Sequence, residues 1–284
     1  MSTHWKAVKN HVFRHRYPYA LLALTSLLNF HVWYDLILDW IRDDNYSHGF
    51  LVIPVSIYIL WRRRKQLSWP IRPSRWGLAL AVIGSVGLVL GIAAEEFFVT
   101  RVSLVMQMSG IGLAYFGIAN FRRVWFAFFF LLFMIPVPAV IYYQATLPMQ
   151  LFSSKVTTTL LQVIGVPAVR QGNIIHLPEY SLEVIEACSG LRSLVALLAL
   201  GSLYSWSYMS GRGRAVFLTL AMVPIAISAN IFRVFVTAVG AYVVSRDLAE
   251  TFLHEVSGLL VFFSALAMLV ILGAILKWTE RLFS

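Results

Sequence analysis

Several runs of about twenty apolar residues divide this chain of 284 residues, and a helix of that length crosses the hydrocarbon core of a bilayer. Apolar residues make up 59% of the chain and charged residues only 13%, whereas soluble domains have about half and about a quarter. The sequence therefore predicts an all-α polytopic membrane protein. We expect about eight transmembrane helices, at roughly 18–38, 48–62, 76–94, 102–119, 123–143, 189–209, 214–244 and 253–276.

The charged residues separate by side when both termini are placed in the cytoplasm. Most of the 23 Lys and Arg residues then lie in cytoplasmic segments, and every carboxylate except Glu280 lies on or near the outer side. An excess of Lys and Arg in cytoplasmic loops sets the orientation of membrane proteins. The net charge of +10 is therefore a topology signal, and we expect no nucleic-acid partner.

Two segments before the sixth span differ from the transmembrane runs. Residues 145–165 have a polar face opposite an apolar one, which is typical of a helix at the membrane interface or packed inside the bundle. We interpret this segment as an amphipathic interfacial helix that does not span. Residues 169–186 contain the turn pairs Gly172-Asn173 and Pro178-Glu179 and predict two short strands in a hairpin-like element. We expect residues 1–284 to form one membrane domain.

Cys188 is the only cysteine, and it lies in the sequence EACSGLRS at residues 186–193. A lone cysteine cannot form an internal disulfide, so its role is in packing or in thiol chemistry. A packing cysteine usually lies among hydrophobic residues, whereas Cys188 has Glu186 and Arg192 within four residues. Cys188 is therefore a candidate nucleophile.

Three chemically capable residues are predicted to lie at one depth of the membrane. Cys188 precedes the sixth span and His254 opens the eighth, both at the outer side. Arg233 lies in the seventh span, roughly 29 Å along the helix from the inner Arg214 at about 1.5 Å per residue. Each residue taken alone also has a simpler explanation, as a packing residue or as a polar residue at the membrane interface. Together, however, a thiol, a guanidinium and an imidazole supply the nucleophile, anion stabiliser and general base of acyl transfer.

Two further motifs near these residues are informative: one contains a supporting residue, and the other lacks a ligand that a zinc site requires. Asn230 lies three residues before Arg233 on the same helical face and can orient it. The sequence HEVSG at 254–258 begins like a zinc-protease helix, but a glycine occupies the position of the second histidine ligand. The chain has no nucleophile elbow and no phosphate-binding glycine loop, so we expect no metal and no cofactor.

The chain resembles the exosortases, within the wider exosortase and archaeosortase group, over nearly its whole length. The resemblance is carried by EACSGLRS at 186–193, NIFRV at 230–234, HEVSG at 254–258, and YSHGFL at 46–51 followed by WRRR at 61–64. The first motif is the most specific. By this resemblance, the catalytic cysteine, arginine and histidine of the family correspond to Cys188, Arg233 and His254.

The resemblance implies a cysteine transpeptidase or protease at the periplasmic face of the bacterial inner membrane. Its partners would be exported proteins with a C-terminal Pro-Glu-Pro motif, a transmembrane helix and an arginine-rich tail. The soluble domain that some relatives carry would here be a separate accessory protein. Glu186, Arg192 and His48 are expected to bind substrate or support the site, and Glu186 is an alternative base. Two other classes stay open: a membrane transporter, and a non-catalytic scaffold in exopolysaccharide export.

Overall fold

The computed structural model describes residues 20–43, 45–184, 191–209, 211–243 and 257–283, which are mostly helical. The chain divides into two compact units, Met1–Val137 and Pro138–Ser284. Within the described residues, four helices are long and apolar enough to cross a membrane: Arg75–Ala93, Phe97–Met134, Gly213–Val243 and Gly258–Thr279. A bent pair, Ala20–Leu28 and Phe30–Arg42, makes a fifth span if it is counted as one. The chain is thus a multi-pass membrane protein, but the predicted count of eight spans is not confirmed.

The lower count has identifiable causes in the lengths of the helices. The helix Gly49–Arg63 has 15 residues, fewer than the roughly twenty that cross the hydrocarbon core. The predicted spans at 102–119 and 123–143 correspond roughly to the two parts of the helix Phe97–Phe130 before and after a break at Gly117, but the second predicted span runs past the end of that helix. Apolar runs therefore predicted helices correctly, but not how many of them have the length of a full crossing.

The first unit consists of helices and two short 3-10 turns. In chain order these are α1 (Ala20–Leu28), α2 (Phe30–Arg42), α3 (Gly49–Arg63), the turn Arg64–Gln66, α4 (Arg75–Ala93), α5 (Phe97–Phe130) and the turn Leu131–Met134.

Helices α1 and α2 meet at an angle of 69° at Asn29, which is buried. The side-chain amide of Asn29 donates to the carbonyl of Thr25 at 2.7 Å and to Oε1 of Gln107 at 3.0 Å. These hydrogen bonds hold the bend, because a buried amide without partners would cost free energy.

Helix α5 doubles back at Gly117. This residue has φ 70° and ψ 166°, a conformation that glycine adopts without steric cost. A Cβ built on Gly112 would lie 2.9 Å from ring carbon Cε1 of Phe128, so that ring packs directly on Gly112. In a straight helix these two residues would be about 24 Å apart. The residues before and after Gly117 therefore form two antiparallel helical segments.

Helix α4 packs closely on the first segment of α5 through a row of buried glycines, Gly77, Gly84 and Gly91, which recur every seven residues. A Cβ at Gly84 would lie 2.9 Å from the backbone nitrogen of Gln107, and one at Gly91 would lie 3.0 Å from that of Thr100. Small residues allow such close approach of helices in a membrane protein. We refer to these three residues as the glycine row.

The second unit combines helices with a small antiparallel sheet. Its elements are α6 (Ala139–Val163), β1 (Val169–Gln171), β2 (Ile174–His176), β3 (Ser181–Glu183), α7 (Leu191–Tyr208), α8 (Arg212–Leu220), α9 (Met222–Val243) and α10 (Ser257–Phe283). The two predicted strands are confirmed as β2 and β3. Strand β1, which pairs with β2, was not predicted; its Val-Arg-Gln residues are all exposed and lack the apolar alternation that marks a strand.

Two apolar clusters organise the second unit. In the first, Ile175 of β2 and Leu182 of β3 pack with Leu161 of α6 and with Val234 and Ala238 of α9. The sheet therefore rests on α6 and α9. The second cluster joins α7, α8, α9 and α10 through buried residues that include Leu197, Leu218, Ala229, Val261 and Leu269.

Candidate functional site

Buried polar side chains follow one face of α6 and one face of α9, two helices that pack together. The side-chain amide of Asn230 on α9 donates to Oγ of Ser153 on α6 at 3.3 Å. These residues form a set that we term the polar seam: Thr146, Gln150, Ser153 and Thr157 on α6, and Asn230, Arg233 and Thr237 on α9, all less than 10% exposed.

The two helices run side by side in the same direction. Ser153 contacts Asn230. Two turns after Ser153, Leu161 lies in one buried cluster with Val234 and Ala238, which are one and two turns after Asn230. Thr157 follows Ser153 by one turn, as Arg233 follows Asn230 by nearly one turn. The hydroxyl of Thr157 therefore lies at the level of Arg233.

Helix α6 presents its apolar side outward and its polar side inward. Leu147, Phe152, Val163 and Ile164 are each more than half exposed, whereas the polar face is buried. An interfacial helix directs its polar face to water. The packing of α6 therefore favours the second predicted alternative, a helix packed inside the bundle, over the interfacial interpretation.

Arg233 is the charged member of the polar seam and is 5% exposed. A charged side chain within an apolar bundle is costly, and it usually marks a functional or paired group. Asn230 is also fully buried on the same helix, as the spacing predicted. Within the described residues, Oδ1 of Asn230 and the hydroxyls of Thr157 and Thr237 make no hydrogen bond. The surroundings of Arg233 thus retain hydrogen-bonding capacity for a polar group.

The other predicted residues of the second unit fall largely outside the structural description. Cys188, Glu186 and His254 lie outside the described residues. Arg192 belongs to the first turn of α7, of which only the backbone is described. The predicted grouping of Cys188, Arg233 and His254 at one depth therefore stays a prediction.

Val184 is the last described residue before Cys188, and it is firmly held by the sheet. The backbone N–H of Val184, just after β3, donates to the carbonyl of Asn173 at 2.9 Å. The side-chain amide of Asn173 donates back to the carbonyl of Val184 at 3.2 Å. Val184 is fully buried and lies in the same cluster as Val234, the neighbour of Arg233. The residue that precedes the 185–190 segment is therefore held by the sheet.

His48 lies in the first unit, in the turn before α3. Its Nε2–H donates to the carbonyl of Phe133 at 3.1 Å, close to where Nε1–H of Trp40 donates to the carbonyl of Met134 at 2.9 Å. Burial lowers the pKa of His48, although hydrogen bonds to the backbone oppose this effect. In the first unit, His48 ties the turn before α3 to the Leu131–Met134 turn.

Sequence reasoning did not assign Ser153, Thr157 and Thr237 to the site. A signal was present, because buried polar residues recur three or four positions apart on both α6 and α9. Serine and threonine are common in membrane helices, so a periodic polar face on α6 does not by itself indicate a site. It indicates one only when a second helix, here α9, has a polar face with the same spacing that includes a charged residue such as Arg233.

A family model described as transmembrane exosortase matches residues 40–271. This range is more than half of the chain and includes the polar seam and all of the predicted site residues. No curated protein and no solved structure matches the chain. The chain therefore belongs to the transmembrane exosortase family.

Proposed function

We propose that this exosortase is a cysteine transpeptidase or protease that cleaves the C-terminal sorting signal of exported proteins through a thioacyl intermediate. The observation that carries the proposal is the burial of Arg233 in the polar seam. A positive charge that is fixed in a low-dielectric site stabilises an oxyanion far more strongly than one in water. Arg233 is suited to that role.

The length of the connecting chain supports a role for Cys188 beside Arg233. Cys188 follows Val184 by four residues, which reach at most about 14 Å when fully extended. Val184 and Val234 belong to one buried cluster, and Val234 is adjacent to Arg233. The thiol is therefore tethered to the part of α9 that carries the guanidinium.

The same reasoning supports His254. It precedes Ser257, the first residue of α10, by three residues, or at most about 11 Å of chain. Val261 of α10 shares a buried cluster with Ala229 of α9. Gly273 of α10 packs on Tyr204 of α7, and Gly201 of α7 packs on Met222 at the start of α9, so α9 and α10 are antiparallel. Ser257, one turn before Val261, is therefore on the same side of this contact as Arg233, one turn after Ala229.

In the proposed reaction, the thiolate of Cys188 attacks the carbonyl carbon of the scissile peptide bond. His254 accepts the thiol proton, and Arg233 stabilises the oxyanion. His254 then donates the proton to the leaving nitrogen as the carbon–nitrogen bond breaks, which leaves a thioester on Cys188. Water or an acceptor nucleophile gives its proton to His254 and attacks the thioester, and the thiol regains a proton as the carbon–sulfur bond breaks.

Four further residues support the reaction in this proposal. Asn230, itself bonded to Ser153, orients Arg233 from within the polar seam. Arg192 binds the glutamate of the substrate motif, and Glu186 is the alternative base. His48 has a supporting role, because it ties the turn before α3 to the Leu131–Met134 turn within the first unit.

The proposed setting is the bacterial inner membrane, with both termini in the cytoplasm and the active site at the periplasmic face. The substrates are exported proteins with a Pro-Glu-Pro motif, a transmembrane helix and a basic tail. The substrate helix packs laterally against the bundle, so that the motif reaches the outer end of α9.

The proposal is tested by co-expression with a tagged substrate of this type and by measuring its mass. Cys188→Ala and Cys188→Ser should abolish processing. Arg233→Gln should slow it at least about a hundredfold, the usual effect of removing one oxyanion donor. Arg233→Lys, which keeps the charge but not the planar geometry, should fall between Arg233→Gln and the wild type.

Lys155→Gln is the matched control, because Lys155 is exposed on the other side of α6 and lies outside the polar seam. It should process substrate at the wild-type rate. Unchanged processing by Cys188→Ala would refute the proposed nucleophile. If that variant instead accumulated a solute in vesicles as the wild type did, the protein would be a transporter.

A further inference from the structure

One end of the first unit carries a dense group of basic side chains. They come from the end of α3, the following turn and loop, the start of α4, and the part of α5 just after Gly117. All except Arg63 are exposed. We term this group the basic rim: Arg62, Arg63, Arg64, Lys65, Arg72, Arg75, Arg122 and Arg123.

Buried Asn120 fixes the loop that carries much of the basic rim. Its Oδ1 accepts from the backbone N–H of Ser68 at 2.8 Å and from the Ser68 hydroxyl at 2.9 Å, and its Nδ2 donates to the Ser68 carbonyl at 3.0 Å. Arg123 donates to the carbonyl of Gln66 at 2.7 Å. The backbone of the loop and the guanidinium of Arg123 are therefore held in place by the fold.

This loop lines an open cavity of about 510 Å³ with an amphiphilic lining. Arg72 and Ser74 contribute polar groups, whereas Phe116, Ile118 and Trp69 contribute apolar surface. Trp69 is 57% exposed, and the exposed tryptophans Trp61 and Trp76 lie nearby in the sequence. Tryptophan is enriched where a membrane meets water, so this end of the unit has the composition of an interface.

The charge of this end is not balanced by acidic residues of the same segments. No Asp or Glu occurs in residues 45–94 or 97–178. Glu95 and Glu96 follow the opposite end of α4, roughly 28 Å from Arg75 along the helix. That distance is close to the thickness of a bilayer core, so the basic rim lies at one membrane surface and the two glutamates near the other.

We propose that the cavity and its basic rim bind the phosphodiester headgroup of an anionic phospholipid. Arg72 and Ser74 contact the phosphate, while Phe116 and Ile118 contact the start of an acyl chain. Guanidinium groups bind phosphate oxygens through directed hydrogen bonds. A soluble phosphate would use only the polar half of the lining, so the apolar half favours a lipid.

The proposal goes beyond the orientation signal in the sequence. Orientation depends on how many Lys and Arg residues lie in the loops near the ends of the spans, and not on which of those positions each one occupies. A headgroup site depends on position, because Arg72 lines the cavity and a basic residue elsewhere does not. A headgroup site therefore predicts weaker lipid binding when Arg72 is replaced, whereas an effect of total charge predicts the same weakening for any basic residue.

The test is native mass spectrometry of the purified full chain in neutral detergent, titrated with phosphatidylglycerol or with phosphatidylcholine of the same acyl chains. We expect phosphatidylglycerol to bind at least tenfold more tightly. Arg72→Gln should weaken phosphatidylglycerol binding about fivefold, the effect of one charge at an anionic membrane surface. Lys277→Gln, which removes an exposed charge outside the cavity, should leave it unchanged.

Equal binding of the two lipids by the wild type would overturn the proposal without reference to any variant. Equal weakening by Arg72→Gln and Lys277→Gln would also overturn it, because the effect would then be one of net charge. In a final competition experiment, glycerol phosphate, which has no acyl chains, is added to the complex of the protein with phosphatidylglycerol. Displacement of the lipid by equimolar glycerol phosphate would show that the site is for a soluble phosphate, whereas no displacement supports the lipid.

Discussion

The close contact of α4 with α5 makes Gly77→Ala a sensitive test of the packing in the first unit. A Cβ at this position would lie 2.6 Å from the carbonyl oxygen of Gly110, and the backbone nitrogen and Cα of Ala114 would be nearer still. Atoms in favourable contact are about 3.5 Å apart, so the helices must separate by roughly 1 Å or more. All of these atoms belong to the backbone, so no side-chain rotation can relieve the overlap.

Overpacking of this kind costs about 1–3 kcal/mol. Gly240→Ala is the matched control, because no atom of the described residues lies within 4 Å of a Cβ at Gly240 in α9. Alanine there should be neutral or should stabilise the helix by about 0.5–1 kcal/mol. The measurement is the midpoint of thermal unfolding of both variants in the same detergent. If Gly77→Ala unfolds at or above the temperature of Gly240→Ala, the two helices do not pack as closely as described.

Three other outcomes follow from individual contacts. A double-mutant cycle of Ser153→Ala and Asn230→Ala should give a coupling free energy of about 0.6 kcal/mol, which is the average for polar pairs in a membrane protein. A coupling free energy of zero would exclude the hydrogen bond between the two side chains. Arg101 forms an ion pair with Asp39, whose side chain is 35% exposed. Arg101→Gln should therefore lower the free energy of unfolding by about 1–2 kcal/mol, less than for a fully buried pair. Arg101→Lys should retain part of the stabilisation, and equal losses in the two variants would argue against the ion pair. Burial lowers the pKa of His48, so its contribution to stability should be full above pH 6.5 and decrease as the pH falls below that value. If the free energy of unfolding of His48→Gln depends on pH in the same way as that of the wild type, this prediction is wrong.

Hydropathy and charge predicted the helices and the approximate position of one interruption, but not the bend at Asn29. The bend at Asn29 depends on the buried amide of Gln107, which is distant in sequence, so no local pattern indicates it. The reversal at Gly117 lies close to the predicted break between 119 and 123, where Arg122 and Arg123 interrupt the apolar run. Local sequence therefore indicates the reversal, whereas a tertiary contact decides the bend at Asn29.

The candidate site was predicted in part, for a physical reason. Arg233 and Asn230 stand out because charged and amide groups are expensive in an apolar helix. The periodicity of α6 revealed a polar face but not what that face contacts, since water and another polar helix require the same spacing. Only the structure shows that Ser153 meets Asn230, which makes α6 part of the surroundings of Arg233.

The glycine row restricts how the length of α4 can change. A one-residue insertion rotates everything after it by about 100° around the helix, which would turn the later glycines away from α5. An insertion of seven residues rotates them by only about 20°. Functional relatives should therefore have an α4 of the same length or one that differs by about seven residues, and engineered insertions should obey the same rule.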